Sequence, residues 1–125
     1  MNAGPFETFT EVKGLIDAGA VDFSSTARKD LEAHYGTKPQ GVRRALEMLR
    51  QLQAGDYNHS EHLPNPPADC DVYGMNCDNV QWYIKFFVDV EFDPPYKTVL
   101  YVVSFHEERS QGKTPLKARR KVVLP

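Results

Sequence analysis

Val80-Gln81-Trp82-Tyr83-Ile84-Lys85-Phe86-Phe87-Val88-Asp89-Val90-Glu91 alternates along its whole length. Val80, Trp82, Ile84, Phe86, Val88 and Val90 are apolar, while Gln81, Tyr83, Lys85, Asp89 and Glu91 are polar or amphipathic, with Phe87 the one exception. Successive side chains of a strand point to opposite faces. This period therefore predicts a β-strand with one face on a core and the other open to solvent or to a ligand. Tyr83 and Lys85 then stand side by side on the open face. A phenol beside a cation suits a phosphodiester better than an apolar ligand.

Working outward, Thr98 to His106 reads as a second strand, apolar on both faces and so central in its sheet. Cys70 to Tyr73 reads as a short strand followed by a turn from Gly74 to Asn79, and Asp56 to Ala68 as a polar loop stiffened by Pro64, Pro66 and Pro67. The N-terminal half is helical in pattern. Thr8-Phe9-Thr10-Glu11 fits a capping box, and Phe9, Val12, Leu15 and Ile16 line one helical face up to a stop at Gly19. Val21 to Phe23 is short and extended. Ser24 or Ser25 caps a second helix to about His34, ended by Gly36. Pro39 and Gly41 open a third, with Val42, Leu46, Leu49 and Leu52 at helical spacing and an end at Gly55. Helices first and strands last predict an α+β domain, its N-terminal helices packed on one face of a small antiparallel sheet.

The 125 residues, 41% hydrophobic and 26% charged, suit one soluble domain with a single core. No apolar run reaches the ~18 residues of a membrane span, so no membrane partner is expected. MNAGPFETF has neither a basic nor an apolar signal region, and with only Cys70 and Cys77 the expectation is a cytoplasmic protein with reduced thiols. The net charge of −2 does not by itself point to nucleic acid. Its distribution is more telling: from Arg109 to Pro125 there is no acidic residue, while Arg109, Lys113, Lys117, Arg119, Arg120 and Lys121 are basic. Such a tail is an RNA or DNA contact or a solvated, solubilising end.

Four histidines carry the chemical interest. His59 and His62 lie just before the sheet, and His106 ends the last strong strand with Ser104 on its face. Cleaving RNA needs a base for the 2′-hydroxyl proton and an acid for the leaving 5′-oxygen. Histidine serves both near neutral pH without metal or cofactor. Lys85 and Tyr83 would stabilise the charged phosphorane. The candidate catalytic residues are thus His59, Tyr83 and His106, with Lys85, His62 and Arg109 as substrate contacts. The bland alternatives are idle, exposed loop histidines, and a Tyr83 that only packs across the sheet. His34, at a helix end, reads as a dipole partner. A rival reading is a zinc-stapled interaction domain through His59, His62, Cys70 and Cys77, although the six residues between the cysteines exceed the usual zinc spacing.

In order, FTEVKGLIDAGAV, a leucine-rich helix, DYNHS, DVYG, WYIKF and VLYVVSFHEE resemble the MqsR family of type II toxins, which has a RelE-like ribonuclease fold. The resemblance spans about Phe9 to Glu108 and rests on the order of short motifs. It implies an mRNA interferase: an endoribonuclease that cuts mRNA at short sequences without metal, inhibits translation, and is silenced by a cognate antitoxin. The family's lysine in D-F-Y-K-S falls on His59, its glutamine before D-V-Y on Cys70, its tyrosine in V-Y-L-K on Tyr83, and its lysine in V-S-F-K-E on His106. Only the tyrosine is kept. Two outcomes fit the resemblance: acid–base work moved from lysine to histidine, which two independent changes to histidine favour, or a site that has lost activity. The segment EHLPNPPA and the basic tail depart from the family outline. A non-catalytic RNA-binding or regulatory module on the same fold is the alternative of a different class.

Overall fold

The structure, a computed structural model, describes residues 4–65, 67–108 and 119–125. Three helices come first: α1 (Phe9–Asp17), α2 (Ser25–Tyr35) and α3 (Lys38–Arg50), with the short strand β1 (Val21–Phe23) between the first two. A single 3-10 turn (Ala54–Asp56) leads into β2 (Tyr57–Pro64), β3 (Pro67–Cys77), β4 (Val80–Val90) and β5 (Thr98–Glu107), and β6 (Lys121–Val122) follows near the end. Each helix starts on a hydroxyl that accepts from an otherwise unbonded amide. Thr8 accepts from Glu11 N, Ser24 from Ala27 N and Thr37 from Gln40 N. Gly36 closes α2 at φ +99°, a conformation glycine adopts without a Cβ clash.

The fold is α+β, and its sheet is mixed rather than antiparallel. The strand order is β1-β5-β4-β3-β2, with β6 on β3. β2, β3, β4 and β5 pair antiparallel in succession, whereas β1–β5 and β3–β6 are parallel. A parallel pair needs a long connection. β1 meets β5 only after two helices and three strands have intervened. With three residues in β1 and two in β6, neither has enough alternation to declare its direction in the sequence.

Two local readings change. The segment expected as a polar loop from Asp56 to Ala68 is mostly β2, and Pro64 and Pro67 pair with each other at the turn end of the hairpin. β2 is an edge strand, which explains both the prolines and the polar composition. The turn expected from Gly74 shrinks to Asp78-Asn79, with φ of 55° and 62°. Two left-handed residues make the tight hairpin whose twist suits its strands, so β3 continues to Cys77.

One face of the sheet carries Tyr73, Met75, Trp82, Ile84, Phe86, Leu100, Val102 and Phe105, all buried against Val12, Ile16, Leu31, Met48 and Leu49 from the helices. The even positions of β4 from Val80 to Phe86 go inward as its alternation required, Val88 is half-buried against the core, and Val90 runs past it into solvent. β5 is interior to the sheet, between β1 and β4. Gly41 is less a helix opener than a contact: a Cβ there would lie 2.7 Å from Leu31 Cβ, so α2 and α3 touch at this point. Asp78, in the β3–β4 turn, takes two bonds from Arg44 of α3 (2.9 and 3.0 Å) and one from Tyr35 of α2 (2.8 Å). This ties the helices to the end of the sheet. Among the described residues, no helix is long and apolar enough to cross a membrane.

Candidate active site

The second face of the sheet is where His59 and His106 arrive, and two β-bulges put them there. In β5, Ser104 pairs with Lys85 while Val102 pairs with Phe86, leaving Val103 as an extra residue. Leu100 and Val102 face the core, and simple alternation would send Ser104 and His106 in behind them. The extra residue inverts the order, so Phe105 enters the core and His106 emerges opposite Tyr83. In β2, Tyr57 pairs with Tyr73 and His59 with Val72, which leaves Asn58 extra. Tyr57 packs its ring on Tyr73 in the core, and His59 and Glu61 turn to the open face. β4, between them, presents Tyr83 and Lys85.

Glu61 is the hub of this face. Its Oε2 accepts from His59 Nε2 at 2.7 Å and from the Tyr83 hydroxyl at 2.8 Å, and its Oε1 accepts from Lys85 Nζ at 3.3 Å. Burial alone would raise the Glu61 pKa. The bonds from His59 and Tyr83 and the Lys85 charge outweigh it and hold the carboxyl below its usual range. The Tyr83 phenol moves the other way. Burial first, then the bond to Glu61, push it well above an ordinary tyrosine, so it stays a proton donor through the physiological range. Lys85 Nζ also lies 5.9 Å from the centre of the Tyr83 ring.

Arg119 closes the arrangement from the C-terminal segment. Its side chain lies flat on Gly74, the β3 residue opposite Tyr83. A Cβ at 74 would sit within van der Waals overlap of Arg119 Nε, so glycine in mid-strand here marks a close approach. Asn58 satisfies its neighbours with its amide oxygen toward Arg119 (3.0 and 3.3 Å) and its nitrogen donating to His59 Nδ1 (2.5 Å). Burial pulls the Arg119 pKa down, yet guanidinium stays charged. Next to it, Arg120 makes a two-pronged bond to Asp56 (2.9 and 3.1 Å) and another to the Gln51 carbonyl, while Val122 enters the core. These contacts hold the backbone that carries Arg119.

His106 lies parallel to Tyr83, ring centres 4.9 Å apart and planes 9° from each other. Its Nδ1 donates to the Glu107 carbonyl at 2.7 Å, and among the described residues Nε2 has no hydrogen-bond partner. A cleft of about 200 Å³ adjoins it, lined by Asp30, Ala33, His34, Trp82, His106 and Glu107.

The structure thus brings together His59, Tyr83, Lys85 and His106 of the sequence-derived set. His62 is not among them. It pairs with Asp69, on the face opposite His59, because three positions along a regular strand reverse the side. Arg109, Lys113 and Lys117 lie outside the described residues. His34 packs edge-on against Trp82, ring centres 5.2 Å apart, as well as ending its helix. Cys70 and Cys77 are both free and buried, seven positions apart on opposite faces of β3. The four residues of the zinc reading therefore do not meet, and among the described residues no three His, Cys, Asp or Glu side chains group as metal ligands.

Sequence reasoning missed Glu61 and Asn58. The signal for Glu61 was its spacing of two from His59, visible only once Asp56 to Ala68 is read as a strand. Gly74 inside an alternating run was the trace left by Arg119. Neither the protein-family models nor the curated proteins contain a match to this chain.

Proposed function

We propose that this chain is a metal-independent endoribonuclease, the toxin of a type II toxin–antitoxin pair, related in kind to the MqsR and RelE interferases. One observation carries the reading: two bulges in separate strands bring two histidines to one face, His106 onto the Tyr83 ring and His59 onto the carboxylate that the Tyr83 hydroxyl also meets. The Tyr83 ring lies on His106 and its hydroxyl on the Glu61–His59 pair, so a proton donor and a proton acceptor flank one point of the open face. Lys85 and Arg119 add cations there, on a chain whose net charge is −2. Charge of that sign held in place is what a phosphorane needs. RNA supplies its own nucleophile in the 2′-hydroxyl, so the protein has only to move two protons and hold charge.

On this reading the 2′-oxygen attacks phosphorus, the 5′-oxygen leaves with a proton from His106, and a 2′,3′-cyclic phosphate remains. The protein would act on mRNA in the cytoplasm and need an antitoxin protein to hold it in check. The test is incubation of the purified chain with a mixed-sequence RNA in excess chelator, with end-group analysis of the products. Expected are 2′,3′-cyclic phosphate and 5′-hydroxyl ends, with the all-deoxy counterpart left whole. RNA that is bound yet stays intact would replace the nuclease with a binding module on the same fold.

A further inference from the structure

We propose that the general base on this face is Glu61, acting through Oε1, and that His59 is a positioning residue. The inference rests on the nuclease reading above and assigns its proton acceptor. Lone pairs and protons decide between the two groups. Arg119 can only donate, so the Asn58 oxygen turns to it and the Asn58 nitrogen turns to His59. That nitrogen donates to His59 Nδ1, so Nδ1 carries the lone pair and Nε2 the proton. His59 Nε2 spends that proton on Glu61. Neither nitrogen is left to accept a proton from a substrate.

Glu61 is arranged differently. A carboxylate has about four acceptor positions. Two on Oε2 are taken by His59 and Tyr83 and one on Oε1 by Lys85. Among the described residues nothing takes the remaining position on Oε1, and the side chain is 35% exposed, enough for a ribose hydroxyl to reach it. The donors around it keep the carboxylate ionised: His59 from its own strand, Tyr83 and Lys85 from β4. The Cys70 thiol from β3, pushed up by burial, stays neutral beside it.

The step balances without a further reactant. The 2′-hydroxyl gives its proton to Glu61 Oε1 as its oxygen bonds to phosphorus. The P–O5′ bond breaks, and the leaving oxygen takes the proton from His106 Nε2. Exchange with water then returns Glu61 to carboxylate and His106 to imidazolium.

The test compares single-turnover cleavage of one RNA by the unchanged chain and by Glu61→Gln, Glu61→Ala, His59→Ala and His59→Gln, across pH. Glu61→Gln is expected to lose roughly 10²–10⁴-fold and with it the acidic limb of the profile. Added formate is expected to restore part of the rate to Glu61→Ala, a gain that a merely misfolded variant would not give. His59→Ala removes one donor from Glu61, so its acidic limb moves to higher pH. His59→Gln, which can still donate, moves it back. If Glu61→Gln cuts within a few-fold of the unchanged chain while His59→Ala is inactive at every pH, the base is His59. Loss of Glu61→Ala activity without formate rescue also counts against the assignment. An unchanged chain that leaves RNA whole overturns the nuclease reading, and the assignment falls with it.

Discussion

Gly74 is the residue on which the proposed chemistry of the open face most visibly depends. It gives up the side chain that a strand interior prefers, and Arg119 lies in the space. Alanine there favours the strand backbone by roughly 0.5–1 kcal/mol. The contact it creates is with a flexible side chain, which moves away. Gly74→Ala is therefore expected to keep or raise thermal stability while weakening RNA binding and slowing cleavage at least about tenfold, the loss of one charge-stabilising contact. Melting curves beside binding isotherms check this, and a variant that melts early with normal binding per folded molecule would count against it. Tyr83 and Lys85 were legible at this scale because β4 alternates without interruption, so parity alone gave their side. Glu61 was hidden by the composition of its neighbours. A stretch with Asn58, Pro64, Pro66 and Pro67 looks like a loop, and only pairing with β3 makes it an edge strand. Asp71 was equally silent. It is 1% exposed and accepts from the Phe6 and Glu7 amides and from the Ser60 hydroxyl, anchoring the chain ahead of α1.

Among the elements, strands were read better than their irregularities. The helix starts at Thr8 and Ser24 came from hydroxyl chemistry, and the inward face of β4 from its period. A bulge has no such signature, because one extra residue only shifts the parity of the positions after it. Both histidines reach the open face through such a shift, so their placement could be found from the fold and not from spacing. The contact of α2 with α3 gives a stability prediction of the same kind. Alanine at Gly41 would gain about 1 kcal/mol in helix propensity. It would also put a methyl 2.7 Å from Leu31 Cβ and 2.9 Å from the Leu31 carbonyl carbon, where backbone cannot yield cheaply. Overpacking of that sort costs about 1–3 kcal/mol, so the net is destabilisation. Denaturant unfolding of Gly41→Ala should show a lower midpoint with an unchanged slope. A raised midpoint would mean the helices are not in close contact there.

Across the whole molecule, the order of helices and strands was enough for the α+β class. The direction of the two shortest strands was not, and the mixed sheet is their doing. The C-terminal segment matters more than a basic tail promised. Arg120 on Asp56 and Val122 in the core fix it, and it returns Arg119 to the face where β2, β4 and β5 present their polar side chains. The proposed function rests on that constellation and not on the fold class, which serves many chemistries. The proposed chemistry turns on His106, held over Tyr83, as the donor of the proton that lets RNA break. The deciding experiment is the single-turnover cleavage rate of His106→Ala beside the unchanged chain, on one RNA, with matching circular dichroism. A fall of roughly 10²–10⁴-fold, with RNA still bound, is expected. Equal rates would take His106 out of the reaction and the proposed mechanism with it.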